Sequence, residues 1–259
     1  MSSLQPLRTA FVTGAARRLG REIALTLADA GWNIALHYHR SKAEAQEVAE
    51  LLAQRKVRYC LVPADLSSEN EVRHAFCAAV TQLGQVDAVV NNAARFEYDD
   101  AHTFSTSQLM DHVLPNLAAP IILAQELARH LAQREKEARG VVVNLLDQKL
   151  NNLNPDFFSY TLSKAGLQTA TTMLAQALAP QVRVVGVAPG LTLPSHMQTE
   201  EAFDKTHRLA PLGKASSPQD IARAVQFLLD SPSITGTTLL VDGGQHLIGM
   251  ERDFSMMDV

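Results

Sequence analysis

Short apolar runs alternate with amphipathic segments along almost the whole of this chain, and no other feature restricts its fold so strongly. The strand-like runs are Ala10–Thr13, Asn33–Tyr38, Arg58–Val62, Val86–Asn91, Val141–Leu146, Val182–Val187 and Thr238–Val241. Helical patterns fall between them at Leu19–Ala30, Lys42–Gln54, Glu69–Gln82, Ser107–Lys136, Phe157–Ala179 and Pro218–Leu229. Strands buried on both faces read as continuous apolar runs, and strands separated by helices pair in parallel. The pattern therefore predicts an α/β fold with one doubly wound parallel sheet of seven strands. The 259 residues, 46% hydrophobic and 19% charged, suit a single large domain, 1–259, and no linker, repeat or low-complexity tract divides it. Pro115 and Pro120 each remove a backbone donor, so the fourth helix is expected to kink or break. The least patterned stretch, Leu191–Pro211, holds Pro194, His196 and the mixed charges of Glu200 to Lys205, and reads as a substrate lid or as a solvated connection.

Composition narrows the ligands. A net charge of −4 without a long Lys/Arg run argues against nucleic acid or an anionic membrane surface and for a small-molecule substrate. Cys60 and Cys77 lack a paired spacing, so they read as buried or inert thiols. His37 and His39 alternate onto one strand face without a third ligand, so no metal is expected. The start, Met1 to Arg8, has no long apolar core, and no later run approaches the ~18 residues of a membrane span, which reads as a soluble cytoplasmic protein.

Two local patterns carry chemistry. The run Thr9 to Thr13 meets Gly14 and then a helix, and such a junction offers unpaired N–H groups and a positive helix end to a pyrophosphate, as in a Rossmann-type fold. Gly14 permits the turn and Gly20 the close packing of helix on sheet. The spacing departs from G-x-G-x-x-G, so position in the first strand-turn-helix unit matters more than the glycines alone. Farther on, Tyr160 and Lys164 stand at i and i+4 on one helix face, with Asp147 just past a buried strand. A nearby ammonium stabilises phenolate, so Lys164 is expected to lower the Tyr160 pKa toward working pH and make the pair a proton-delivery device. Alone, the pair could equally be an amphipathic helix with an exposed lysine.

From Thr9 to Gly244 the chain resembles the short-chain dehydrogenase/reductase family. The resemblance rests on Thr13-Gly14-x5-Gly20, Asp65 after the third strand, Asn91-Asn92-Ala93 after the fourth, Asn116, Tyr160-x3-Lys164, Pro189-Gly190 and Asp242-Gly243-Gly244, in the family's order. Within the family, the chain is similar to the pteridine reductase branch: Arg18 stands where the middle glycine of the turn is usual, Asp147 replaces the usual catalytic Ser, the second strand ends His37-Tyr38-His39-Arg40-Ser41, and an aromatic, Phe96, follows the Asn run. It departs from that branch in Ala94-Arg95, where some members carry Ser, and in a tail, 245–259, that runs past Gly244.

The resemblance implies NADPH as cofactor, bound by Gly14, Arg18, Leu19, Gly20, His39, Arg40, Ser41, Asp65, Leu66, Asn92, Ala93, Pro189 and Gly190. Cations at the end of the second strand suit a 2′-phosphate, although a solvated basic helix start would look the same. It implies Asp147, Tyr160, Lys164 and Asn116 as catalytic residues, with Asn116 holding a water that links Lys164 to solvent. It implies Arg18, Phe96, Asp147 and Tyr160 as the substrate contacts, Phe96 offering a flat face. Ordinary alternatives stay open: a helix cap for Asp147 or Asp65, a wall residue for Phe96, a surface ion pair for Arg18, and helix backbone satisfaction for Asn116. The implied activity is reduction of a dihydropterin or dihydrofolate, with reduction of a ketone or 3-oxoacyl group, or an idle NADPH-binding protein, as the alternatives. A homotetramer is implied, with the tail either at an interface near a neighbouring site or frayed.

Overall fold

The structure, a computed structural model, describes residues 8–194 and 199–256. Expectations attached to residues 1–7, to His196 and to residues 257–259 lie outside the described residues. The strands are β1 (Thr9–Val12), β2 (Asn33–Tyr38), β3 (Tyr59–Pro63), β4 (Ala88–Asn91), β5 (Gly140–Leu145), β6 (Val182–Pro189) and β7 (Thr238–Val241). The helices are α1 (Arg18–Asp29), α2 (Lys42–Gln54), α3 (Glu69–Leu83), α4 (Thr106–Val113), α5 (Ala119–Ala132), α6 (Phe158–Leu178), α7 (Glu200–His207) and α8 (Pro218–Asp230). All strands pair in parallel in the order β3-β2-β1-β4-β5-β6-β7. The sheet is the one expected, and its order reverses between β1 and β4, where a doubly wound sheet opens a crevice at its carboxyl ends.

Burial follows the two-residue period of a strand. Ala10 and Val12 of β1 face a layer built with α1, α2 and α8, while Phe11 between them faces the layer of α3 and α5. Strands β1, β2, β4 and β5 are buried throughout, and β3 and β7 at the edges are not. Cys60 is buried in β3, and burial pushes its thiol up to about 11, whereas Cys77 is exposed.

The fourth helical pattern is not one helix. α4 gives way to a π-helical turn at Leu114–Ala118, and α5 follows, ending at Ala132 instead of Lys136. Pro115 cannot donate to the helix ladder, and the wider π turn absorbs the missing bond without ending the helix. α7 lies inside the stretch that read as irregular. Its Thr199 hydroxyl accepts from the Ala202 N–H at 3.2 Å, Glu200 and Glu201 occupy its first turn, and Lys205 and His207 its last. Among the described residues no helix is long and apolar enough to cross a membrane.

α8 is the best-capped element. The Ser217 hydroxyl accepts from the Asp220 N–H at 3.2 Å, and Asp220 Oδ2 accepts from the Ser217 N–H at 2.9 Å, with Pro218 in the first turn. The Ser217 hydroxyl and N–H hold the Asp220 carboxyl down at about 2. A carboxyl lowered in the folded state stabilises the fold above its ordinary range, and that contribution is lost as pH falls through about 2. Ser217→Ala is therefore expected to lower the unfolding free energy by ~1 kcal/mol at neutral pH, with a smaller loss in strong acid. Urea titrations of both proteins at neutral pH and near pH 3 measure it, and a loss independent of pH would contradict the reciprocal cap.

Candidate active site

The site is built on the junction of β1 and β4. Thr13 Oγ1 accepts from the N–H groups of Asn92 (2.9 Å) and Ala93 (3.0 Å), and Asn92 Nδ2 donates to Thr13 O (2.9 Å) and Gly14 O (3.3 Å). Gly14 adopts φ +62°, in the left-handed region where a side chain is strained. At Gly20 a Cβ would fall 2.2 Å from Gly14 O and 2.5 Å from Asn92 Nδ2, so only glycine lets α1 start this close to the turn. Buried His37 braces the turn from behind. Gly14 N–H donates to its Nδ1 (3.1 Å), its Nε2 lies 3.1 Å from Ala64 O, and burial holds its pKa down at about 4, so the ring is neutral with Nε2–H donating.

Arg18 sits at φ +50°, which explains why glycine is usual there. Its Nη2 donates to Pro194 O at 2.8 Å, across the cleft from the turn to the segment after β6. On the other side Gly190 has no room for a side chain, because a Cβ would meet Gln245 Oε1 at 2.2 Å and Asp242 Cα at 2.8 Å. Asp242 in turn accepts from the N–H groups of Gly244 (2.9 Å) and His246 (2.8 Å), which gives the Asp242-Gly243-Gly244 motif its structural reason.

Asp147, at the end of β5, accepts twice: Oδ1 from the Lys149 N–H (2.9 Å) and Oδ2 from the Tyr160 hydroxyl (2.8 Å). It is thus both the cap of a short 3-10 turn, Gln148–Asn151, and a partner of Tyr160. Lys164 lies behind, its Nζ donating to Leu145 O at 2.6 Å and standing 5.8 Å from the Tyr160 ring centroid. The start of α6 is held by Asp99, whose Oδ1 accepts from the Ser159 N–H at 2.9 Å. Phe96 stacks on Phe157 (centroids 4.2 Å apart, 16°) and meets Tyr160 edge to face at 4.7 Å, so protein already covers one face of Phe96.

These groups line a cleft of about 760 Å³, the size of a small-molecule site. Gly14, Arg18, Leu19, Gly20, Asn92, Ala93, Phe96, Asp147, Tyr160, Lys164, Pro189 and Gly190 all border it. His39, Arg40, Ser41, Asp65 and Leu66 do not. They gather at the ends of β2 and β3, His39 Nε2 lying 4.0 Å from Asp65 Oδ2. Asp65 accepts from the Ser67 N–H at 2.9 Å, which holds its carboxyl below the usual range, and Leu66 is buried in the core. Asn116 does not border the cleft either. Its side chain clasps Arg95, accepting from the N–H (2.7 Å) and donating to the carbonyl (3.0 Å), and donates to Ser163 Oγ (3.0 Å). Those bonds tie the Asn116 side chain to the segment carrying Phe96 and to α6.

The electrostatics correct one expectation. Burial raises the Tyr160 phenol well above its ordinary value, and the Asp147 carboxyl beside it raises it further. Lys164 does not offset this, because its ammonium is turned to a backbone carbonyl and burial lowers it to about 8. Burial also raises Asp147, and the carboxylate of Asp253 adds to that. The site therefore holds a protonated phenol on a reluctant carboxylate, and not a phenol poised to ionise.

Sequence reasoning missed Arg17, Arg95, Asp253, Phe254 and Ser255, all of which border the cleft. The first two stand beside assigned motif residues. The last three belong to a tail expected to reach a neighbouring site or to fray, yet its described part packs on its own chain, where Arg252 pairs with Asp156 at 2.8 Å. Nothing local marks that contact.

Asp147→Asn removes the negative charge facing Tyr160 and should bring its ionisation to lower pH. Tyrosinate absorbance during alkaline titration, with Tyr160→Phe used to assign the component, measures it; an unmoved component would deny the pairing.

Comparison with known proteins agrees with this geometry. The profile of the family described as Enoyl-(Acyl carrier protein) reductase matches residues 14–246. The FolM alternative dihydrofolate reductase 1 of Brucella canis, solved with NADP, superposes with a TM-score of 0.87 at 38% identity, over 93% of this chain and 95% of that one. Pteridine reductase 1 of Leishmania tarentolae is 32% identical over 92% of this chain and 96% of its own length. A 3-oxoacyl-[acyl-carrier-protein] reductase, FabG of Staphylococcus epidermidis, is 30% identical over 93% and 99%. With its parallel sheet, glycine turn and Tyr160–Lys164 pair, the chain belongs to the short-chain dehydrogenase/reductase family.

Proposed function

We propose that this protein is an NADPH-dependent reductase of pterin-type substrates, taking a dihydropterin or dihydrofolate to the tetrahydro form. The observation that carries the reading is the 2.8 Å hydrogen bond from the Tyr160 hydroxyl to Asp147, a carboxyl group where the family usually has Ser. A hydroxyl serves a carbonyl oxygen well. A carboxylate accepts from the amino and ring N–H groups of a heterocycle, and once protonated it donates.

The residues present fit the cofactor. Gly14 and Gly20 leave backbone room at the start of α1, whose first N–H groups lack intrahelical partners and suit a pyrophosphate. Arg40 and Ser41 at the end of β2 suit a 2′-phosphate, while Asn92, Ala93, Pro189 and Gly190 would flank the nicotinamide half. Bound NADPH supplies the hydride. Lys164 would turn from Leu145 O to the nicotinamide ribose, Phe96 and Arg18 would confine the flat ring, and Tyr160 would hand its proton to a ring nitrogen. The raised phenol suits this role, because it stays protonated throughout the working range. The NADP named with the Brucella canis structure and the substrates named with both reductases support this assignment.

Similarity to the 3-oxoacyl reductase supports a second reading, reduction of a 3-oxoacyl thioester. The intact Tyr160 and Lys164 argue against an idle NADPH-binding protein. We also infer a homotetramer, supported by exposed apolar side chains on two faces: Met110, Leu162 and Met173 on α4 and α6, and Phe227 and Leu239 on α8 and β7. The free cysteines fit the reducing cytoplasm.

NADPH oxidation with dihydrobiopterin, dihydromonapterin, dihydrofolate and an acetoacetyl thioester tests the assignment. Wild type should turn over the pterins, Asp147→Ser should lose most of that rate, and Tyr160→Phe should abolish it while NADPH binding holds. Activity on the thioester alone would favour the second reading.

A further inference from the structure

After β7 the chain turns through Gln245–Leu247 and returns to its own cleft, where Asp253, Phe254 and Ser255 line the same space as Asp147, Gln148 and Tyr160. Charged contacts fix the segment. Arg252 donates Nε and Nη2 to Asp156 at 2.8 and 2.9 Å, and the Asp253 N–H donates to Asp156 Oδ2 at 2.7 Å. Lys149 Nζ, on a side chain only 4% exposed, donates to Asp253 Oδ2 at 3.0 Å and to Asp156 O at 2.6 Å. The N–H of that same lysine bonds Asp147 Oδ1. One residue therefore ties the tail carboxylate to the turn that orients Asp147. Asp253 also accepts from the N–H and hydroxyl of Ser255, at 3.0 and 2.8 Å. A carboxylate offers about four acceptor positions, so one stays open for a further donor.

We propose that Asp253 is a specificity-determining residue: a second carboxylate, delivered by the chain's own tail and held by Lys149, that joins Asp147 in accepting from N–H groups on one edge of a nitrogen heterocycle. The inference rests on the pterin reading and names what the substrate must present to this wall. An acyl thioester brings a carbonyl and would leave the carboxylate unpaired, so the same residue that selects the heterocycle disfavours the thioester. The groups facing Asp147 are Tyr160 and Lys164 of α6, Lys149 of the 3-10 turn and Asp253 of the tail. Of these only Asp253 is a carboxyl group, and it raises Asp147 on top of the larger effect of burial.

The test measures steady-state constants with NADPH and dihydrobiopterin for wild type, Asp253→Asn and a chain ending at Glu251, together with NADPH binding. Losing a hydrogen bond to a charged group should raise KM for dihydrobiopterin about 10-fold or more in both variants. NADPH affinity should hold, and the limb of the kcat/KM profile set by Asp147 should move to lower pH. In Asp253→Asn, which keeps the tail in place, a purely structural wall would not move that limb. Wild-type KM and an unshifted limb in the shortened chain, or an equal loss of NADPH affinity, would overturn the inference while leaving the pterin reading intact. Absence of pterin turnover by wild type would overturn both.

Discussion

Everything at this site depends on how the ends of β1 and β4 are tied together. Two neighbouring strands whose chains leave toward opposite faces of a sheet would splay at their carboxyl ends, and a crevice there is only as well defined as the bonds across it. Here Asn92 donates both its backbone N–H and its side-chain amide to Thr13, and His37 steadies the turn from the adjacent strand. With that junction rigid, the depth at which α1 begins is set by the absent side chain of Gly20. Asp147 and Tyr160 then stand at a fixed distance from it because β4 and β5 are in register along their length.

The site carries local costs that the rest of the fold offsets. Arg18 occupies a left-handed backbone position worth roughly 1–3 kcal/mol of strain, and it persists because α1 is held between β1 and α8. Burial makes Lys164 hold its proton less tightly than an ordinary lysine and makes Asp147 hold one more tightly than an ordinary aspartate. A lysine lowered to about 8 and a raised carboxyl each disfavour the folded charged form, and groups perturbed in this way cluster at functional sites. They sit against the sheet's most regular region, where β5 pairs with β6 from Gly140 to Leu145.

What the sequence made legible was whatever depends on neighbours in the chain. Asn33–Tyr38 and Lys42–Gln54 were readable to the residue, because a buried central strand and a helix opened by Ser41 carry their signals locally. The glycine turn, Asp147, Tyr160 and Lys164 were readable for the same reason. The helix expected over Ser107–Lys136 is interrupted at Pro115 as its prolines required, but the π form of the break was not readable, because helical periodicity survives a π turn. α7 had a readable cap in Thr199 followed by two glutamates, hidden by its low apolar content. The expectation that Lys164 lowers Tyr160 failed for a different reason. Spacing puts the two on one face, but burial and the orientation of the ammonium decide which effect wins.

The tail shows the limit of local reading most plainly. Arg252 and Asp156 are 96 positions apart, and nothing near either one announces the other. Their contact has a consequence for which substrates the cleft admits. Without the tail, the space beside Asp147 would open to solvent, and an exposed carboxylate discriminates weakly because water satisfies it whatever the ligand. With Phe254 buried and Lys149 screened from water, the acceptor position that the protein leaves open on Asp253 is less readily satisfied by solvent. Unpaired charge in such a place is penalised more heavily than a missing apolar contact. The fold the chain shares with carbonyl and pterin reductases alike leaves the substrate open, and on the proposed reading the acids at its carboxyl edge narrow it.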